Sequence, residues 1–198
     1  MWKRNITNNY KMSIIHFKEK YKKDVIPAMM KKFGYKNPLA VPNIDKVTVN
    51  TGFGKMLNGK SGKDRERTIN TILNDLSVIC GQRAVQTYAR KSIAGFSLRE
   101  GVSVGAKVTL RSQKMYDFLE RLIHVTLPRS RDFKGINMKS IDKAGNLTIG
   151  IKEHLYFPEV SPEKAKLIFG LEIVVTTNAK NKEEGLELLR LLGFPIKS

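Results

Sequence analysis

Three segments of this chain place an apolar side chain at every second position. They read KVTVN at 46–50, KVTLR at 107–111 and LTIGIK at 147–152. Successive side chains of a β-strand point to opposite faces, so each segment can bury one face and leave the other in water. The pattern is typical of antiparallel sheets covered on one side only. Two further strands are predicted within AVQTYA at 84–89 and LEIVVTT at 171–177.

Apolar residues recur at helical spacing in other parts of the chain. The predicted helices cover about 14–33, 65–79, 114–127 and 182–192, and a short helix is predicted to begin at Ser161. Proline disrupts a helix because it lacks the backbone N–H and crowds the preceding turn. We therefore expect Pro27 to kink or split the first helix and Pro128 to end the third.

Two polar residues should begin helices. Asp64 is the expected N-cap of the second helix, and Asn181 that of the last, where Glu184 completes a capping box. Because strands and helices are intermixed, we predict an α+β fold. Its sheet should be mixed but largely antiparallel, with helices packed on one face and a polar, basic face opposite. Residues 1–13 are predicted to be a basic N-terminal extension and 14–198 a single domain.

The charge of the chain points to a polyanionic partner. The sequence has 36 Lys and Arg residues against 18 Asp and Glu, a formal net charge of +18. Unpaired charge is costly to bury, so this excess must lie on the surface and attract polyanions. Nucleic acid is the leading candidate. A membrane is the weaker one, because the sequence contains no run of about 18 apolar residues that could span it. The single cysteine, Cys80, excludes an internal disulfide and fits a reducing compartment.

The polar positions of the predicted strands form a set of cations and short hydrogen-bonding side chains. Such groups bind phosphate oxygens and RNA 2′-hydroxyls, although an ordinary solvated sheet face accounts for them equally well. The set depends on the strand phase, since a slip of one residue would exchange the two faces. Its members are Lys46, Thr48, Asn50, Lys107, Thr109, Arg111, Thr148, Lys152 and Thr176.

Two further segments are unusual. ARKSIAGF at 89–96 places two cations directly before an apolar run, which suits neither a solvated loop nor a core strand. PRSRDFKG at 128–135 is a basic segment after a helix, where Arg129 and Arg131 could each donate two hydrogen bonds to phosphates. A solvated turn is the alternative for this second segment.

Residues 54–61, GKMLNGKS, match the phosphate-loop pattern G-x-x-x-x-G-K-S/T. A nucleotide-dependent enzyme would use Lys60 on phosphates and Ser61 on magnesium. Against it, Asp64 is the expected helix start, no later strand ends in a suitable aspartate, and the chain lacks regular strand–helix alternation. His16, His124, His154 and Cys80 are scattered without metal-ligand spacing, and no carboxylate pair suits acid–base catalysis. We therefore expect no cofactor, no metal and no enzyme activity.

Five longer motifs occur in a fixed order and carry a family resemblance. From about Ile14 to Lys197 the chain resembles the bacterial-type large-subunit ribosomal proteins that bind 5S rRNA, the family called ribosomal protein L-five (L5). The motifs are NPLAVPNIDKVTVNTGFG, ARKSIAGFSLREGVSVGAKVTLR, FLERLIHVTLPRSRDFKG, LTIGIKEHLYFPE and GLEIVVTTNAKNKEEGLELLRLLGFP.

The resemblance implies a structural protein of the central protuberance of the large ribosomal subunit. It would anchor 5S rRNA to large-subunit rRNA, contact peptidyl-site tRNA, and bridge to a ribosomal protein of the small-subunit head. Its other neighbours would be 5S-associated ribosomal proteins, with no membrane partner. The implied location is cytoplasmic and ribosome-bound, with an organellar ribosome left open.

The resemblance also implies roles for single residues. The family motif N-x-G-x-G matches Asn50, Gly52 and Gly54 on the RNA side, and rRNA contact is expected at Lys107, Thr109, Arg111, Arg129 and Arg131. The loop directed at tRNA comprises Arg90, Lys91, Ser92, Ile93, Ala94, Gly95 and Phe96. A nucleotide-dependent enzyme and a general RNA chaperone remain the alternative hypotheses.

Overall fold

The structure, a computed structural model, describes residues 17–57, 59–96, 98–131, 133–163, 165 and 167–197. The extension predicted for 1–13 lies outside these residues. The described residues form one sheet of five strands in the order β2-β3-β1-β5-β4, and every neighbouring pair is antiparallel. The strands are β1 Ile44–Gly52, β2 Val85–Tyr88, β3 Ser103–Leu110, β4 Leu147–Ile151 and β5 Leu171–Thr177.

The helices cover one face of this sheet, as the predicted α+β class requires. They are α1 Phe17–Lys20, α2 Ile26–Phe33, α3 Gly62–Cys80, α4 Ser112–Arg121, α5 Leu127–Arg129 and α6 Lys182–Leu192. The π-helical turn Tyr21–Val25 joins α1 to α2, and Leu122–Thr126 joins α4 to α5. Among the described residues, no helix is both long enough and apolar enough to cross a membrane.

The core lies between the helices and the inner face of the sheet. Val47 and Val49 of β1 are fully buried, and the burial of β4 alternates residue by residue. Facing helices contribute fully buried side chains such as Leu76 and Phe118. These residues belong to one contiguous cluster. Burying each such side chain stabilises the fold by about 1.5–3 kcal/mol, so the apolar alternation of the strands determines which face the helices cover.

Proline shapes both long helical segments in the same way. The residue before each proline donates its N–H five residues back, Ile26 to the carbonyl of Tyr21 and Leu127 to that of Leu122. The wider π-turn moves the backbone away from the proline ring, which would clash with a regular turn. The prediction that Pro27 splits the first helix is confirmed. The prediction that Pro128 ends the third is wrong, because the helix continues to Arg129.

Several predicted helix starts differ from the structure. Helix α3 begins at Gly62 with Ser61 as N-cap, so Asp64 lies in its first turn and places its carboxylate near the positive end of the helix dipole. Glu184 of α6 accepts a hydrogen bond from the Lys180 N–H at 3.0 Å and not from that of Asn181, so the capping box is not closed. After Ser161 the described residues form a single turn and no helix.

Candidate nucleic-acid interface

The outer face of the sheet carries the predicted polar residues in two cross-strand rows. Thr48 of β1 lies opposite Thr109 of β3, and Asn50 lies opposite Lys107. Antiparallel neighbours directly opposite each other point to the same face, so these four side chains form one contiguous patch. Thr48, Asn50 and Thr109 are half-buried, and Lys107 is exposed. The strand phase on which the sequence prediction depended is therefore correct for β1 and β3.

The remaining predicted face residues extend the patch toward its margins. Lys46 lies opposite Thr176 after an irregularity in the β1–β5 pairing, and its Nζ is 3.9 Å from the Asp45 carboxylate. Thr148 is exposed on β4 and Lys152 is exposed just beyond that strand. The strand prediction was too long at Arg111, which is the N-cap of α4 and is exposed at the end of β3.

The outer face also contains residues that the sequence prediction omitted. Glu172 of β5 lies opposite both Asn50 and Gly150, and Val174 lies opposite Thr48. The Asn50 side-chain amide donates to the Glu172 carboxylate at 3.4 Å. The face is therefore not purely basic and hydroxylic, since a carboxylate lies at its centre. The alternation of LEIVVTT was sufficient to place Glu172 and Val174 on this face.

The segment 89–101 is a hairpin loop between β2 and β3. At its base the Ala89 N–H donates to the Val102 carbonyl and the Gly101 N–H donates to the Ala89 carbonyl, and Ile93 pairs with Leu98 in an isolated antiparallel bridge. The Ser92 hydroxyl accepts the Glu100 N–H at 3.0 Å. Ala89 is buried, whereas residues 90–95 are exposed, and Ile93 exposes 46% of its surface.

This geometry explains part of the unusual composition of the loop. Ile93 holds the loop together through its backbone pairing with Leu98, while its side chain is available to a neighbour. Arg90 and Lys91 present their charges outward from the base of the hairpin. The side chain of Phe96 lies outside the described residues.

The segment after α5 is separate from the sheet face. Arg129 ends α5, and the Ser130 N–H donates back to the carbonyls of Thr126 and Leu127. Arg129 and Arg131 are exposed, and Phe133 is half-buried against the core. Asp132 lies outside the described residues. These two arginines therefore belong to a helix end and not to the cross-strand patch.

The phosphate-loop motif at 54–61 does not form a nucleotide site. One sequence argument against it was wrong, because α3 does begin directly after Ser61. However, the Lys60 ammonium donates to the Thr68 hydroxyl at 3.0 Å and is folded onto α3. The described sheet is also antiparallel throughout, whereas a phosphate loop joins a strand of a parallel sheet to its helix.

The remaining reactive side chains are structural. Burial raises the pKa of the Cys80 thiol to about 12, so the thiolate nucleophile is not formed near neutral pH. His154 is fully buried, stacks on Phe169 with ring centroids 3.9 Å apart, and lies 3.7 Å from the Asp75 carboxylate. Within the described parts of the chain, no group of three or more His, Cys, Asp or Glu could hold a metal ion.

Comparison with known proteins identifies the class to which this fold and charged surface belong. A family model described as ribosomal protein L5 matches residues 37–99, and a second model, for the C-terminus of the same ribosomal family, matches residues 103–196. The two matches meet near the 89–101 loop and together include every strand of the described sheet.

Curated relatives are similar in sequence to this chain over nearly their whole length. The large ribosomal subunit protein uL5 of Halothermothrix orenii is 48% identical over 89% of this chain and 96% of the relative. The proteins of the same name from Syntrophomonas wolfei subsp. wolfei and Desulforapulum autotrophicum are 49% and 47% identical, over 90% and 91% of this chain and 97% and 98% of the relatives.

This chain belongs to the ribosomal protein L5 family. It is a structural constituent of the large ribosomal subunit and not an enzyme. The family resemblance inferred from the five sequence motifs is thereby confirmed.

Proposed function

We propose that the protein binds 5S rRNA and anchors it to large-subunit rRNA in the central protuberance. The observation that carries this proposal is the cross-strand patch of Thr48, Thr109, Asn50 and Lys107 on a sheet face that the helices leave uncovered. Short hydroxyl and amide side chains suit ribose and base edges, and Lys107 suits phosphate. The formal charge of +18 supplies long-range attraction to RNA.

The protein also contacts peptidyl-site tRNA and a ribosomal protein of the small-subunit head. The exposed hairpin 89–101 supports the tRNA contact, because it presents Arg90 and Lys91 from a backbone held by the Ile93–Leu98 bridge. Arg129 and Arg131 form a second basic surface, suited to rRNA phosphates. The family resemblance supports the bridge and the 5S-associated ribosomal proteins as neighbours. Residues 1–13 act as a basic extension of a single domain, 14–198.

A filter-binding titration with 5S rRNA across a range of salt concentrations, with tRNA as competitor, tests the central proposal. We expect a preference for 5S rRNA that persists at physiological salt. Equal affinity for both RNAs, lost together as salt rises, would instead indicate a general RNA chaperone. Saturable magnesium-dependent nucleotide binding that Lys60→Ala abolishes would revive the enzyme hypothesis.

Matched variants locate the binding surface. Asn50→Ala should weaken 5S rRNA binding by about 3- to 10-fold through loss of one hydrogen bond. Lys107→Gln should lower the slope of log affinity against log salt by about 0.7–0.9, the contribution of one phosphate contact. Lys31 is exposed on α2, on the helical side of the molecule. Lys31→Gln removes the same charge there and should leave 5S binding nearly unchanged. If the two lysine substitutions had equal effects on 5S binding, the sheet face would not be the binding site.

A further inference from the structure

A cleft of about 650 Å³ lies beside the end of β1, outside the cross-strand patch. Its walls are the end of β1, the turn Lys55–Leu57, the start of α3, the start of β3 and the side of the 89–101 hairpin. Its volume falls within the range of about 300–1,000 Å³ typical of sites for small organic groups. The lining residues are Gly52, Gly54, Lys55, Leu57, Arg65, Gly95, Leu98, Val102, Ser103 and Val104.

The lining combines a positive rim with an apolar floor. Lys55 is exposed, and Arg65 is held over the cleft by a 3.4 Å hydrogen bond from its guanidinium to the Ser103 carbonyl. Leu57 is buried, and Leu98, which also lines the cleft, is half-buried. None of the described residues that line the cleft is acidic.

Glycines keep the cleft open. A Cβ built on Gly95 would meet nothing within 4 Å, and one on Gly54 would meet only Val104, at 3.9 Å or more. Neither glycine has a positive φ, so no backbone requirement explains the missing side chains. Bare backbone at such positions lets a planar group approach closely.

We propose that this cleft receives one unstacked nucleotide of a single-stranded RNA segment. The base lies against Leu57 and Leu98, and its phosphate lies at Lys55 and Arg65. RNA is recognised mainly where unpaired bases are splayed out from the helix, and a cleft with an apolar floor and a cationic rim suits such a base. The proposal deepens the RNA-binding function proposed above and rests on it. Since Lys60 is bound to Thr68, free nucleoside triphosphates are not the expected ligand.

Methyl NMR of the full chain tests this assignment with two RNA probes. Single-stranded hexauridylate should shift the methyl signals of Leu57, Leu98 and Val102 in a saturable manner. A blunt RNA duplex at the same phosphate concentration, with all of its bases paired, should not shift them. Shifts of equal size with both probes, or none with hexauridylate, would overturn the proposal. Saturation by uridine monophosphate at the same concentration as the hexamer would also overturn it.

Two substitutions complete the test. Gly54→Val fills the cleft and should weaken hexauridylate binding at least about 5-fold. The second substitution is Lys55→Gln, and its charge-matched control is Lys63→Gln, because Lys63 is exposed on the first turn of α3. Lys55→Gln should weaken binding about 3-fold and Lys63→Gln should not. Unchanged binding in Gly54→Val, with its fold verified by the same spectra, would reject the cleft.

The failure of this inference is distinguishable from that of the proposed function. If Lys107→Gln alters 5S rRNA binding but hexauridylate does not shift the methyl signals of the cleft, the sheet face is supported as the 5S site and the cleft proposal is rejected. If the cleft binds hexauridylate but the protein does not prefer 5S rRNA over tRNA, the cleft proposal is supported and the 5S assignment is rejected.

Discussion

Gly185 illustrates how one residue fixes the position of a whole element. It lies in the interior of α6, where glycine is less favourable than alanine by about 1 kcal/mol. A Cβ at this position would lie 2.4 Å from the Cα of Gly145 and 2.6 Å from its carbonyl oxygen. Gly145 itself has φ +80°, in the turn before β4. The close approach of these two backbones sets the distance between α6 and that turn.

Gly185→Ala is therefore expected to destabilise the protein despite the better helix propensity of alanine. The clash is with backbone atoms that cannot rotate away, so we expect a loss of about 1–3 kcal/mol in the free energy of unfolding. Urea denaturation measures this loss. Gly150→Ala, where a Cβ meets nothing within 4 Å, is the control and should change stability little. A neutral Gly185→Ala would show that α6 can shift freely.

Glu172 places a negative charge on the otherwise basic sheet face. Its carboxylate lies beside Asn50, and the strand of Asn50 separates it from Lys107. We expect Glu172→Gln to raise affinity for 5S rRNA by about 2- to 5-fold at low salt and by less at high salt, because surface charges are screened. Filter binding at two salt concentrations tests this. Lower affinity would mean that the carboxylate itself accepts a hydrogen bond from the RNA.

At the scale of elements, the 89–101 hairpin is joined to the sheet through few contacts. Its base continues the β2–β3 pairing through Ala89 and Val102, and its upper part is closed by the bridge between Ile93 and Leu98. Residues 90–95 are exposed and contribute nothing to the buried core. The hairpin can therefore carry a contact without contributing to the stability of the fold.

Deletion of Lys91–Gly95 should leave the thermal midpoint within a few degrees of the wild type. It should also leave the contribution of the sheet face to 5S rRNA binding intact, although it removes Gly95 from the wall of the cleft. Retention of peptidyl-site tRNA on ribosomes carrying the deleted protein should fall, because Lys91 and the apolar tip are lost. Calorimetry, filter binding and toeprinting provide the three measurements. Loss of 5S binding in the deletion would contradict the division of labour between hairpin and sheet.

At the scale of the whole molecule, the pair His154–Asp75 connects α3 to the segment that follows β4. Burial lowers the pKa of His154, and the Asp75 carboxylate only partly opposes this; burial also raises the pKa of Asp75. The folded protein therefore resists protonating His154, whereas the unfolded chain takes up that proton near pH 6.5. Stability is then lost as the pH falls through about 6.5 toward the lower pKa of the folded state.

We expect the free energy of unfolding to decrease between pH 7.5 and pH 5.5 by up to about 1.4 kcal/mol per pH unit for this one proton. Chemical denaturation at both pH values measures the change. His154→Phe, which retains an aromatic ring on Phe169, should flatten this dependence, and His124→Gln, at an exposed helix position, should not. Identical pH dependence in wild type and His154→Phe would assign the effect to other groups.

The sequence predicted the fold class, most strand positions and the polar face of β1 and β3, because alternating burial is a local property that two neighbouring residues already display. It also indicated the family, because five long motifs occur in order. The element boundaries at Arg111 and Arg129 were missed because they depend on how strand and helix ends are hydrogen-bonded in space. Glu172 was overlooked although its alternation was visible.

Alternation and charge, both properties of the linear chain, establish that one face of an antiparallel sheet is buried and that a molecule with a net charge of +18 attracts a polyanion. The side chains that become neighbours across strands, such as Asn50 with Lys107 and Glu172, emerge only in the folded molecule. Folding likewise places Gly54, Arg65 and Leu98 around one cleft and brings Gly185 against Gly145. The order and register of the strands bring together residues that are more than a hundred positions apart in the sequence, such as Asn50 and Glu172. No local pattern of residues specifies such contacts.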